Sequence, residues 1–411
     1  MAKPEQHSRP AVARQPPPPA PEWHGEIISH GVTGTNGKTS TVGLLAAALG
    51  TLARPVPSVT TLGAFLDDAP FAGPTTHDGM LAVLAAGLAR GARHAVLEMT
   101  SEALALGYAK AWPCHGATFT NLSHDHLDAH QSPEHYLASK AQLFMALPPG
   151  GYAVLNGCDE ACALLAEVLP ADVRTLHYGV QSRGAPHTAL DLEGVEVTIS
   201  WHGSSARLRS TSPGVPGELR LRAIGAEHVE NALAALGAAI LAGALPLEAA
   251  RAIERAAPQP GRFEVHGSGP HVVIDFAHSP DALARTLRTA RQLCRGKLWL
   301  VFGAGGNRDR EKRPAMGEAA RAADRVLLTS DNCRDEHPGA ICAAIGAGLQ
   351  GHPDVAQELD RERAISRAIA AADADDVVLV AGRGPERELQ LGSRHIPLVD
   401  AEVAEAALRL R

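Results

Sequence analysis

Aromatic residues make up only 4% of this 411-residue chain, so its core must be built from aliphatic side chains. The six cysteines (Cys114, Cys158, Cys162, Cys294, Cys333 and Cys342) form no CxxC pair. That argues against a zinc site or a disulfide framework and reads as a reduced, cytoplasmic protein. No apolar run approaches the roughly 20 residues that span a bilayer. The first residues also lack the charged-then-apolar order of a secretory signal. Positive charge is not in excess: the formal net charge of -7 disfavours a broad nucleic-acid-binding face but leaves room for a local basic site. No repeat of solenoid length is visible. What remains is a chain that is 45% hydrophobic and 20% charged, and too long for one core, so two or three domains are expected.

Residues 1 to 25 include "RQPPPPAPEW", which is Pro-rich and polar and reads as a disordered tail. From residue 26 short apolar runs alternate with Ala/Leu-rich helical stretches: "EIISHGVTG" before "KTSTVGLLAAALG", "HAVLEM" before "SEALALG", and "GATFTN" before "PEHYLASKAQLFMAL". Runs of four to six apolar residues followed by helices predict βαβ units and a mostly parallel sheet covered on both faces. Between about 187 and 222 a period-two pattern predicts antiparallel strands. "PQPGR" (258 to 262) stops a helix and marks a boundary. Beyond it, "HVVIDFA", "KLWLVFGAGG", "RVLLTS" and "DVVLVAG" alternate with helices as a second, Rossmann-like doubly wound unit. The expected organisation is a central domain over 26–257 and a C-terminal domain over 258–411, with ligands in the cleft between them.

One loop carries most of the chemical information. "HGVTGTNGKTSTV" sits between a predicted strand and helix and ends in Gly37-Lys38-Thr39. Its first glycine is displaced, however: the usual phosphate-loop spelling would place it at Val32. Gly34 and Gly37 would let backbone N–H groups approach phosphate oxygens at a helix N-terminus. Lys38 would neutralise phosphate charge, and the Thr39 hydroxyl would face Mg²⁺.

"TGTNGKTST" resembles the phosphate loop of the Mur ligase superfamily, ATP-dependent enzymes that form amide bonds. "LEMTSEALALG", "ATFTNLSHDHLDAH", "YLASKAQLF", "PGRFE", "VIDFAHSPDAL", "VFGAGGNRDREKRPAMG", "TSDNCRDE" and "AGRGPE" follow in the order of its diaminopimelate-adding branch. The resemblance covers nearly everything from residue 26 onward. It implies a central ATP-binding domain, two Mg²⁺ ions, and a carboxylate activated as an acyl phosphate before an amine attacks it. By motif position Gly34, Thr35, Asn36, Gly37, Lys38, Thr39 and Ser40 hold ATP, with Asn231, Arg262 and His278. Thr39, Glu98, His126 and Lys140, the last at the lysine the family carbamylates, serve the metals, and Lys38, Glu98, His126 and Lys140 serve catalysis. Arg308 and Lys312 offer further positive charge. Taken alone, "HDHLDAH" could equally be a transition-metal cluster, and Lys140 a surface lysine.

On the amine side, "DNCR" stands where that branch has DNPR. Asp331, Asn332, Arg334, Gly382 and Glu386 then hold an amino acid with a zwitterionic end, diaminopimelate as the best match. On the acyl side Thr75, Thr76 and Ser101 match the family. His77 replaces a proline, Glu102 a histidine and Tyr108 an arginine. The branch also carries an N-terminal UDP-sugar domain of about one hundred residues, which the start of this sequence does not match. Together these features imply a ligase with a non-standard acyl donor, a small molecule or peptide carboxylate. The alternatives are a stem-peptide ligase whose missing domain comes from a protein partner, and a non-catalytic ATP-binding interaction module.

Overall fold

A computed structural model of the chain describes residues 16–74, 76–123 and 132–411. Two large sheets form among them. The first runs, in spatial order, Glu218–Leu221, Gly203–Ser210, Leu192–Ser200, Arg174–Val180, Tyr152–Asn156 and Gly116–Phe119. It continues through Ile28–Thr33, His94–Glu98, Pro57–Thr60, Gly63–Leu66 and Ala69–Phe71. The strands from Leu192–Ser200 across to Pro57–Thr60 are parallel, and an antiparallel pair flanks them at each edge.

Helices cover both faces, which is why the central strands are buried almost end to end. Val32, Val96 and Val154 pack with the helices Lys38–Leu49, Ala226–Leu241 and Pro246–Arg255. Leu97, Ala153 and Leu155 turn the other way, toward His77–Leu88 and Pro133–Met145. The register places Val32 level with both Glu98 and Thr118, so the loops that follow these strands leave the sheet at one edge.

The second sheet runs Glu264–His266, His271–Asp275, Val377–Ala381, Leu298–Phe302, Arg325–Leu328 and Val355–Gln357, parallel except for its first strand. Asp275 is level with Ala381, and Phe302 with Leu328, so four loops emerge side by side at its carboxyl edge. The hairpin of the first sheet reaches across to the second, where Trp201 stacks on His271 with ring centroids 3.8 Å apart. The architecture is the α/β fold that the alternation of strands and helices predicts.

Three local features depart from the sequence reading. Residues 16–25, assigned to a disordered tail on composition, are packed: Trp23 meets Trp112 edge-on at 5.7 Å and Ala20 N–H donates to the Ala111 carbonyl at 3.0 Å. An aromatic anchor outweighs the prolines around it. The strands between Pro57 and Phe71 and the strand Arg174–Val180 carry no strong apolar run, and pairing with neighbours decides them. Among the described residues no helix is long and apolar enough to cross a membrane.

Near the amino ends of the central strands lie two buried histidines, His30 and His94, with the half-buried His115 beside them. His30 contacts the Tyr152 hydroxyl through Nδ1, and its Nε2 is 3.1 Å from His94 Nδ1. Burial lowers the pKa of His30, His94 and the half-buried His115; His94 and His115 lower His30 further, and Arg93 and His115 lower His94. The folded chain therefore binds these protons less readily than the unfolded chain does. Stability is full above the ordinary histidine value, about 6.5, and falls as pH drops through it. Melting temperature should fall between pH 7.5 and pH 5.5, and fall less in a folded His30→Asn variant. A flat profile would contradict the assignment.

Candidate active site

The carboxyl edges of the two sheets face each other across a cleft of about 420 Å³. One wall is the loop Gly34–Gly37. Gly34 lies at φ +148° and Gly37 at φ +86°, and both approach a neighbour too closely for a Cβ. Asn36 is clamped from the strand ending in Phe119: its N–H donates to Asn121 Oδ1 at 3.0 Å, and its carbonyl accepts from Thr120 Oγ1 at 2.7 Å. The Thr35 hydroxyl accepts from Ser123 N–H at 3.0 Å and lies 3.1 Å from the Tyr136 hydroxyl. Lys38 folds over the loop, donating to the Gly34 and Thr35 carbonyls at 3.1 and 2.8 Å. The displaced glycine is thus explained: the turn needs Gly34, and the position two residues earlier is a buried strand residue, Val32.

Thr39 Oγ1 donates to Glu98 Oε2 at 2.9 Å, and Thr61 N–H donates to the same oxygen at 3.2 Å. This pair of hard oxygen donors at the end of a strand suits Mg²⁺, which keeps several waters and takes few protein ligands. Lys140, 1% exposed, donates to the Gly34 carbonyl at 2.8 Å and lies 4.2 Å over the Tyr136 ring. It belongs to the cleft rather than the surface. Ser40 is buried at the same wall. His126 and Thr75 lie outside the described residues. Among those described, no group of three or more His, Cys, Asp or Glu converges as a metal site.

The opposite wall comes from the second sheet. Arg262 stacks on Phe276 with its Cζ 4.5 Å from the ring centre, and its Nη2 reaches Thr39 Oγ1 at 3.5 Å. Asp275 was not singled out by its motif, yet it holds this wall. It accepts from Phe263 N–H at 2.8 Å, Ala277 N–H at 2.9 Å and the Thr286 hydroxyl at 3.1 Å. That fixes the turns carrying Arg262 and His278. Burial raises the Asp275 pKa and Arg262 beside it opposes the rise. Burial lowers His228 to about 4, so it is neutral at pH 7. Asn231, 5% exposed, lies directly against Gly37.

The amine-side residues gather at the ends of the strands Arg325–Leu328 and Val377–Ala381. Asn332 donates from Nδ2 to Glu386 at 2.6 Å and accepts from Gln390 N–H at 2.8 Å. Asp331 Oδ1 accepts from Asn332 N–H at 2.5 Å, and a Cβ on Gly382 would stand 2.7 Å from Asp331 Oδ2. Arg334, at φ +50°, donates to the Gly306 and Asn332 carbonyls at 2.7 and 3.2 Å. Its guanidinium is therefore partly spent on the loop, not wholly presented to a substrate carboxylate. Arg313 grips Glu336 through two bonds of 3.0 and 2.9 Å, holding that carboxyl at about 2, and Glu336 in turn orders the Asn307 N–H beside Arg308. Arg308 lines the cleft.

On the acyl side Ser101 and Glu102 line the cleft. Thr76 does not. It is exposed and its hydroxyl caps the helix His77–Leu88, accepting from Gly79 N–H at 3.4 Å. The rings of His77 and Tyr108 meet at 5.7 Å.

A strand-end phosphate loop with a carboxylate beside it, closed over by a second α/β unit, is the layout of a nucleotide-dependent enzyme. Residues 32–239 match the family model of the Mur ligase middle domain, and residues 261–384 that of the Mur ligase, glutamate ligase domain. The chain belongs to the Mur ligase family and is an ATP-dependent, amide-forming enzyme. It is 40% identical to the UDP-N-acetylmuramoyl-L-alanyl-D-glutamate--2,6-diaminopimelate ligase of Thermosynechococcus vestitus, over 95% of this chain and 78% of that protein. Against the ligase of the same name from Ralstonia nicotianae it is 39% identical, over 93% of this chain and 76% of the other. A solved structure of such a ligase superposes with a TM-score of 0.64 at 32% identity, covering 93% of this chain and 78% of its own. The Mycobacterium tuberculosis folylpolyglutamate synthase complexed with ADP and AMPPCP shares the fold, with a TM-score of 0.69 at 21% identity, covering 87% of this chain and 89% of its own.

Proposed function

We propose that this enzyme uses ATP and Mg²⁺ to couple an amino acid with a zwitterionic end, diaminopimelate-like, to an acyl donor different from the one its relatives are named for. The cleft supports the ATP half of the reaction. The first N–H groups of the helix Lys38–Leu49 would face the phosphates, and the Lys38 ammonium would turn to them from the Gly34 and Thr35 carbonyls, with Arg262, His278 and Arg308 closing from the second unit. Thr39 and Glu98 are the residues to hold Mg²⁺, which neutralises phosphate charge when bound. The donor carboxylate takes the γ-phosphoryl group and ADP leaves. The amine nitrogen then attacks the acyl carbon, phosphate departs, and the amine loses a proton. The enzyme's task is mainly positioning and charge neutralisation. A carbamate on Lys140 would convert a buried cation at Gly34 into a carboxylate on the metal side.

The observation that carries the altered donor is Glu102. It lines the cleft where the related pattern has a histidine, so a carboxylate replaces a basic group beside an anionic substrate. Tyr108, paired with His77, takes the place of an arginine, and losing such a partner costs about 1.5–3 kcal/mol of charge-assisted bonding. The second reading is ordinary stem-peptide synthesis on the UDP-linked dipeptide, favoured by the 40% identity to enzymes of that name.

Phosphate release with ATP and Mg²⁺ separates the two, with products identified by mass spectrometry. The assay pairs meso-diaminopimelate or lysine with either the UDP-muramoyl-dipeptide or short free acidic peptides. Amine-dependent turnover with a free acid or peptide, and not with the UDP-linked donor, is the expected result. Efficient turnover with the UDP-linked donor would overturn the altered-donor reading.

A further inference from the structure

Beneath the amine-side residues lie three fully buried ionised side chains that the reaction as described does not use. Arg361 opens the helix Arg361–Ala371 and Asp400 opens the helix Asp400–Arg409. Arg383 follows the strand Val377–Ala381. The side chains of Arg361, Arg383 and Asp400 are all 0% exposed. Arg361 grips Asp400 through two bonds, Nε to Oδ1 at 2.9 Å and Nη2 to Oδ2 at 2.7 Å. Its remaining donors reach the carbonyls of Ser330 at 3.1 Å and Ala381 at 3.0 Å, the residues just before Asp331 and Gly382. Arg383 donates to Asp400 Oδ1 and to the Leu398 carbonyl, both at 3.2 Å. Its Nε is buried without a hydrogen-bond partner and stands 3.6 Å from Glu386 Oε2, too far for a tight pair.

Charge accounts for this arrangement. Two guanidiniums and one carboxylate leave one positive charge in a fully buried layer. Asp331 and Glu386 above it outnumber that charge by one, a deficit that one ammonium group closes. We infer that Asp400 is a positioning residue for the amino-acid acceptor: by holding Arg361 and Arg383 it keeps Arg383 off Glu386, so that Asp331 and Glu386 are left to the acceptor's ammonium group. Without Asp400, the two guanidiniums would repel each other and Arg383 would swing onto Glu386, supplying the substrate's charge from within. Burial and Asp331 raise the Glu386 pKa, and the Asn332 amide, Arg383 and Arg361 oppose that rise. Buried triads of this kind cost desolvation energy and persist where they hold a site in register.

This inference rests on the amino-acid-acceptor reading above, and direct binding tests both without needing the acyl donor. Isothermal titration calorimetry would measure meso-diaminopimelate binding to the full chain in the presence of Mg²⁺ and a non-hydrolysable ATP analogue. Asp400→Asn should weaken that binding at least tenfold, about 1.4 kcal/mol, with nucleotide affinity within twofold of wild type. Asp400→Glu should recover part of the loss. Arg383→Lys, which keeps the charge but cannot make all of these bonds, should weaken binding severalfold, and it carries the test if Asp400→Asn does not fold. Unchanged amino-acid affinity in a folded Asp400→Asn variant would overturn the inference alone, as would an equal loss of nucleotide affinity. If wild type binds no amino acid, the acceptor reading falls and the inference with it.

Discussion

Gly37→Ala should weaken ATP binding by at least ~10²-fold, about 2.7 kcal/mol or more, whereas Gly91→Ala should leave it unchanged. The two glycines have nearly the same backbone, φ +86° and φ +89°. An alanine pays the left-handed penalty of roughly 1–2 kcal/mol at either position. Their surroundings differ. A Cβ on Gly37 would stand 2.2 Å from Asn231 Oδ1, while one on Gly91 meets nothing within 4 Å. Asn231 is buried on the helix Ala226–Leu241 and has little room to retreat. The phosphate loop would have to move, and its N–H groups would lose their aim. Gly34→Ala should behave like Gly37→Ala, since its Cβ would meet Thr120 Oγ1 at 1.9 Å. Calorimetric titration with ATP and thermal melts of the variants test this. Equal ATP affinity in Gly37→Ala and Gly91→Ala would show that backbone strain alone matters.

Glu98→Gln is expected to lower turnover by ~10²–10³-fold, the usual cost of removing one preorganised electrostatic group, with little change in melting temperature. The amide oxygen can still accept from Thr39 Oγ1 and Thr61 N–H, now 2.9 and 3.2 Å from the carboxylate, so the wall keeps its shape. What disappears is the negative charge. Wild type should bind ATP more tightly with Mg²⁺ than in chelator, and the variant should lose most of that difference. A variant with the full Mg²⁺ effect would exclude Glu98 as a metal ligand. Because the substitution leaves Arg262 near Thr39, affinity for metal-free ATP should stay close to wild type.

The parts of this molecule legible in its sequence share one property: their geometry is set within a few residues of the chain. Alternating apolar runs and helices predicted the parallel sheets, since burial on both faces imposes that pattern. The loop "TGTNGKT" predicted a phosphate site because turn, helix start, lysine and hydroxyl all lie within one short segment. Residues 16–25 were misread because composition does not reveal that Trp23 has a partner at Trp112. Thr76 shows a related limit. A threonine before a helix serves as substrate contact or as cap, and the structure adds the cap through its Gly79 bond. Asp275 stood inside a recognised motif, but its role lies in contacts with Phe263 and Thr286, on either side in the chain.

The sequence by itself determined the fold class, the phosphate loop and the family resemblance. Only the tertiary structure decided which distant groups meet. It set Asn231 against Gly37, Arg262 over Thr39, and Asp400 between Arg361 and Arg383. The physical reason is that local spacing fixes backbone conformation, whereas the worth of a charge depends on burial and partners. Both arise from packing between segments as far apart as residues 39 and 262.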